Sequence, residues 1–300
     1  MSNAKKGILA GIISNTIFGF SFIFTTICLK ETSVLITLSY RSIIALITLF
    51  IVMLIFKVKI KVDKKDLPLL IIMGLCQPSI YFLCENYGIL YSSTSFASVM
   101  LSVIPIICII LGVTFLKEKV TIKQVIYACL AVVGVILISI SNWTGGHIKL
   151  LGIILLLGAV ISAAVFSIFS RKLSTKYSSL QRTFMMFLIS TITFTTIAFF
   201  QNINQLDNFI KPLSNYKFIL SVLYLGTISS VVAFMLVNVA NTNLPVSKST
   251  VFSCLSTVIS VIVGIFLLKE PYSIITIIAT IIILFGVYKT QSTDKKKRDS

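Results

Sequence analysis

Charge is scarce in this sequence. Only 12% of its 300 residues are charged, while 57% are hydrophobic and the mean hydropathy is +1.03. A soluble domain carries roughly 25% charged residues, so the composition excludes a soluble globule and points to a polytopic membrane protein. Acid is scarcer still, with nine Asp and Glu against 26 Lys and Arg, a net charge of +17. In a soluble protein that excess would suggest a nucleic-acid partner. Here none is expected, because basic loops facing an anionic membrane leaflet account for it. The single His leaves no basis for a His-built metal centre. The six cysteines fall inside apolar runs without a CxxC pair, which suits small buried hydrophobes. There is no Walker A glycine loop, so the chain does not hydrolyse ATP itself.

What is abundant is long apolar runs. A spanning helix needs about 20 apolar residues. Ten segments qualify: 7–29, 33–56, 67–90, 95–116, 121–140, 150–170, 179–200, 217–240, 247–268 and 272–290. The first follows Lys5 and Lys6 as a signal peptide would, but it is too long for one and is read as a retained spanning helix. The longest interruptions, 57–66, 141–149 and 201–216, are too short for a soluble domain. With the N-terminus inside, inner loops and termini hold 19 Lys and Arg and outer loops hold 5. The positive-inside rule therefore places both termini in the cytoplasm of a multi-pass cell-membrane protein.

The segment 95–118 recurs at 247–270, displaced by 152 residues without a gap. Ile107/Ile259, Ile110/Ile262, Gly112/Gly264, Leu116/Leu268, Lys117/Lys269 and Glu118/Glu270 are identical pairs. The same displacement matches Gly74/Gly226, Asn86/Asn238 and Gly134/Gly286. A repeat of this size is the first thing to read in a chain. It divides the sequence into 1–145, 146–291 and a basic tail, 292–300. Five crossings per half is an odd number, so the second half enters from the opposite side. The expected fold is all-α, with ten transmembrane helices in two inverted five-helix repeats. That architecture favours alternating access around a site near the midplane. Glu118 and Glu270 read as helix-end residues at the interface.

Several stretches resemble the EamA-type members of the drug/metabolite transporter superfamily. Phe18-Gly19-Phe20-Ser21-Phe22 is similar to that family's W-G-x-x-F, and Leu38-Ser39-Tyr40-Arg41 to its x-x-F-R. The block from Tyr87 to Glu118, with Pro105, looks like its fourth-helix signature. The chain departs from the pattern with Phe18 for Trp, Thr26 for Lys and Thr257 opposite Pro105. The resemblance implies a central cavity and transport of small metabolites, amino-acid-like or drug-like, often with proton coupling and without a cofactor. Export is the first expectation. Uptake or facilitated diffusion is the alternative, and a membrane enzyme or lipid-handling scaffold the alternative of another class.

Charged and polar residues within spans are functional candidates. Arg41 and Glu85 fall at similar depths, roughly 12 and 8 Å below the outer surface at about 1.5 Å per residue. They are expected to pair, with Glu85 as a carrier of the coupling proton. Arg182 is taken as the counterpart of Arg41, while Glu85 aligns with Val237. Gln77, before Pro78, and Tyr81 join the candidates on the third span, and Asn238 is the copy of Asn86. On the first span Asn15, Phe18 and Phe22 share a face. Gln181 and Asn241 are further amides within spans. Trp143 reads as an interface anchor and His147 as a loop residue. Gly134 and Gly286 suit close helix packing and leave a homodimer open.

Overall fold

The computed structural model describes residues 2–58, 61–92, 97, 100–141, 149–205, 207–268 and 274–292. Trp143, His147, Glu270 and the tail after Ser292 lie outside the described residues. Among the described residues the principal helices are α1 (Asn3–Glu31), α2 (Val34–Ile55), α3 (Leu67–Leu90), α4 (Ile104–Leu116), α5 (Ile122–Ser141), α6 (Leu150–Leu173), α7 (Ser179–Gln201), α8 (Tyr216–Asn243), α9 (Ser253–Leu268) and α10 (Ile274–Ser292). Eight spans are long and apolar enough to cross a membrane, and the apolar stretches of α4 and α5 are shorter. No strand occurs among the described residues. Apolar side chains face outward along the helices, as at Ile47, Phe50, Leu54 and Ile55 of α2. In lipid that exposure carries no penalty, and the helix satisfies its own backbone.

The two repeats exchange their first helices. α1 packs on α8 and α9, and α6 packs on α3 and α4. Gly19 makes the α1–α9 crossing possible, since a Cβ there would meet Ile259 Cγ2 at 2.6 Å. α5 and α10 stand aside as a pair. A Cβ on Gly134 would lie 2.6 Å from Ile283, and one on Gly286 2.8 Å from the Ala131 nitrogen. Both glycines are thus occupied within one chain, so a homodimer would have to use other faces.

The conserved displacement between the repeats is 152 residues for α3–α5, but the structure sets a different one for the first two helices. Ser33 caps α2 and Ser178 caps α7, 145 residues later. Gly226 is approached by Ile44 and by the Arg41 carbonyl; its copy Gly74 is approached by Ile189 and Met186. Gly7 sits on Asn243, and Gly152 on Tyr91, the copy of Asn243. Arg182 therefore matches Thr37, and Arg41 matches Met186. The expected equivalence of Arg41 and Arg182, 141 residues apart, is off by one helical turn from this 145-residue register. The register changes to 152 because the α7–α8 connection is longer than the α2–α3 connection.

α3 and α8 are interrupted at equivalent places. α3 leaves helical geometry at Gln77 (φ −143°, ψ 125°), directly before Pro78, where the proline disfavours the α region. α8 widens over Leu225–Val232. The Cys76 carbonyl at the break accepts from the Tyr81 N–H and also takes a 2.5 Å hydrogen bond from Ser162 of α6. A break at membrane depth is tolerated where such partners exist.

The duplicated Gly…Leu-Lys-Glu motif has a local explanation in its first copy. α4 ends at Lys117 in the left-handed region (φ 53°), and the Glu118 N–H returns to the Gly112 carbonyl at 3.1 Å. Gly112 leaves room for the Glu118 carboxylate, which would stand 3.1 Å from a Cβ there. That carboxylate accepts from Val246 N (2.7 Å), Ser247 N (3.1 Å) and Ser247 Oγ (2.9 Å), the start of the turn leading into α9. An acidic side chain of one repeat so satisfies amide donors at a helix start of the other.

Candidate functional site: a central cavity between the repeats

A cavity of about 440 Å³ lies between the repeats. It opens at the end where α1 and α3 finish and α2 begins, where Leu29, Leu90 and Thr26 are exposed. It runs down to Asn241, Ser249 and Thr250 and stops there. A volume of this size is typical of small-molecule sites, roughly 300–1,000 Å³.

Seven of the nine sequence candidates line it: Asn15, Phe18, Phe22, Arg41, Gln77, Tyr81 and Glu85. On α1, Asn15 donates to the Gly11 carbonyl at 2.8 Å, and Phe18 meets Phe234 edge-on at 5.3 Å. Phe234 also contacts Phe82 (6.2 Å) and Phe187 (5.5 Å), which makes an aromatic wall. Phe82 and Phe234 are copies of each other under the 152-residue displacement, so the wall includes a contact between equivalent residues of the two halves.

The expected Arg41–Glu85 ion pair is absent. Arg41 donates from Nε to Ser230 Oγ (2.8 Å) and from a terminal nitrogen to Ser229 Oγ (3.0 Å), and its Cζ stands 4.3 Å from the centre of the Phe82 ring. Glu85 instead accepts from the Tyr81 hydroxyl at 2.9 Å, one turn back on its own helix. The one ion pair among the described residues is Lys176–Asp66, far from here. The reason is positional. The widened part of α8 brings two hydroxyls to the guanidinium, and Tyr81 at i−4 reaches the carboxylate first. Both charges still face the same cavity. Under the corrected register each has an apolar copy, Met186 for Arg41 and Val237 for Glu85.

Arg182 and Asn238 do not line the cavity. They lie beyond its closed end, in a buried knot joining α6, α7 and α8. Arg182, 1% exposed, donates to Ser170 O (2.6 Å), Ser170 Oγ (2.9 Å), Asn238 O (3.0 Å) and Thr242 Oγ1 (2.6 Å). Ser170 Oγ donates to Asn238 Oδ1 at 2.7 Å, and Asn238 Nδ2 to Thr183 Oγ1 at 2.9 Å. Arg171 adds donations to the Asn241 and Thr242 carbonyls. Gln181 is no cavity amide either. It completes a capping box with Ser178 at the start of α7, which the Ser-x-x-Gln spacing signals in the sequence. Asn241 does reach the cavity, where Ser249 Oγ donates to its Oδ1 at 2.7 Å.

At the same end a second tie links the repeats outside the spans. Lys176, before α7, donates to both Asp66 oxygens at 3.0 and 2.8 Å, and the Tyr177 hydroxyl donates to Asp66 Oδ2 at 3.0 Å. The hydrogen bond from the Lys176 ammonium holds the Asp66 carboxyl below its ordinary range. Burial and the neighbouring carboxylate push the Tyr177 hydroxyl up.

Comparison with known proteins agrees with this geometry. A solved crystal structure superposes with a TM-score of 0.80 over 99% of both chains at 16% identity, which establishes a shared fold. An uncharacterized transporter of Bacillus subtilis, YcxC, is 27% identical across 96% of this chain and 94% of its own. An uncharacterized transporter of Archaeoglobus fulgidus is 28% identical across 80% and 83%. A probable terminal-alkyne amino-acid exporter of Streptantibioticus cattleyicolor is 25% identical over 39% of each chain. The EamA-like transporter family matches residues 5–140 and again 150–290. Two family units in tandem, folded as two five-helix repeats around one cavity, make this chain a member of the EamA-like transporter family of the drug/metabolite transporter superfamily.

Proposed function

We propose that this protein is a secondary exporter of small amino-acid-like or amphipathic metabolites in the cell membrane. The repeats divide at 145/146, both termini are cytoplasmic, and no cofactor takes part. One observation carries the reading. A cavity holding a carboxylate, a guanidinium and aromatic rings is open at one end and sealed at the other by a buried hydrogen-bonded knot. That is one half of an alternating-access cycle. The loop charges support a cytoplasmic position for the sealed end, with Arg171, Lys172 and Lys176.

Glu85 and Tyr81 suit an ammonium group, and Phe18, Phe22 and Phe82 an apolar body. A substrate carboxylate would compete with Ser229 and Ser230 for Arg41. Glu85 also carries the coupling proton in this reading, since it is the acid in the cavity wall without a basic partner within ion-pair distance. The probable amino-acid exporter among the relatives supports the substrate class. The transported molecule leaves chemically unchanged, so no enzymatic step is involved.

Proteoliposomes test this. Radiolabelled amino acids and amphipathic amines should cross in a saturable manner, faster with an imposed proton gradient. Glu85→Gln should abolish the gradient's effect. Absence of flux for every compound, or full proton dependence in Glu85→Gln, overturns the respective part.

A further inference from the structure

The knot at the closed end has a copy at the open end. Applying the register set by the caps and glycine contacts, Ser170 of α6 matches Thr25 of α1, Asn238 of α8 matches Asn86 of α3, and Arg182 of α7 matches Thr37 of α2. All three counterparts line the mouth of the cavity. They are apart where the originals are joined. Asn86 donates only to the Phe82 carbonyl of its own helix, at 2.7 Å. No hydrogen bond among the described residues joins Thr25 to Asn86. Thr37 Oγ1 is buried without a partner, in a residue 3% exposed. A buried hydroxyl without a partner is costly and calls for an explanation.

We propose that the open end closes on Thr25, Thr37 and Asn86. Thr25 Oγ1 then donates to Asn86 Oδ1, as Ser170 Oγ does to Asn238 Oδ1 at the other end. Thr37, standing where Arg182 stands in the other repeat, gains its missing partner in that cluster. The breaks at 75–80 and 225–232 lie between the latches and the rest of α3 and α8, where a change of helix direction leaves the packed halves intact. The two latches are unequal. The closed one has a guanidinium with four donations, and the open one has a threonine in its place. Hydrogen bonds from a charged donor are about twice as strong as neutral ones. The inequality accounts for a resting state that is sealed on the Arg182 side and open on the other. It rests on the transport reading for its purpose, but not for its geometry.

Cysteine cross-linking tests it without a transport assay. In full-length protein in liposomes, with the native cysteines replaced, the pair Thr25→Cys and Asn86→Cys is treated with copper phenanthroline. A small disulfide fraction is expected, rising about tenfold when Arg182→Ala is added, equivalent to about 1.4 kcal/mol. In the same samples, labelling of a cysteine at Thr26 by an impermeant maleimide should fall. Thr242→Val, which removes one acceptor, should act in the same direction should Arg182→Ala not yield folded protein. A pair that never cross-links, while Ser170→Cys with Asn238→Cys does, overturns the latch. A cross-link unaffected by either substitution overturns the link between the two ends. Failure of flux with intact cross-linking would instead count against the transport reading.

Discussion

The two ends of the cavity are built from equivalent helices and are nevertheless different places. At the closed end Arg182, Ser170, Asn238 and Thr242 share six hydrogen bonds in a largely buried cluster. At the open end Thr25, Thr37, Asn86 and Leu90 occupy the matching positions and form no such cluster. Nearer the middle the contrast reverses. Repeat one supplies Arg41 and Glu85, where repeat two has Met186 and Val237. One repeat thus supplies the charges that line the cavity, and the other the buried guanidinium beyond its closed end. The frame is shared by the two repeats, and the difference lies in a handful of buried positions.

The comparison is broken most severely at Arg182. Arg182→Ala leaves two carbonyls and two side-chain oxygens without their donor, and should cost ~3 kcal/mol of stability. A thermal melt in detergent would show it, alongside the loss of outward bias. Glu85→Gln should lower proton-driven flux by an order of magnitude or more, while leaving stability nearly intact, because Tyr81 still finds an acceptor in the amide. Equal loss of stability and flux would turn Glu85 into a packing residue. Glu118→Ala removes the acceptor of three donors at the turn into α9 and should cost about 1 kcal/mol, the usual size of a lost N-terminal cap.

The smallest effect belongs to the Asp66 tie. Its carboxyl is held low in the folded protein, so the contribution is complete above the ordinary carboxylate range and disappears as pH falls through the depressed value. Melts between pH 6 and 3 should show a shallow decline that Asp66→Asn flattens. Between pH 6 and 8 the two proteins should not diverge on this account.

Much of the fold was legible because apolar length and loop charge are local quantities. Ten spans, a duplicated fourth helix and its glycine-ended motif can be read from the chain without a contact map. The face shared by Asn15, Phe18 and Phe22 followed from helical period alone, and those side chains do line the cavity. Partners were another matter. Depth along a helix said that Arg41 and Glu85 were level, but rotation about the helix axis and the widened turn of α8 decided that Arg41 bonds serines and Glu85 a tyrosine. The register between α2 and α7 is carried by Ser33, Ser178, Gly74 and Gly226, and the two arginines stand four residues out of it. The amino-acid sequence by itself determined the number of spans, the duplication and the residue types available to the cavity. Tertiary structure alone decided which polar groups meet. Hydrogen bonds across helices depend on angstrom-scale approach set by glycines and helix breaks, and no periodicity encodes that distance.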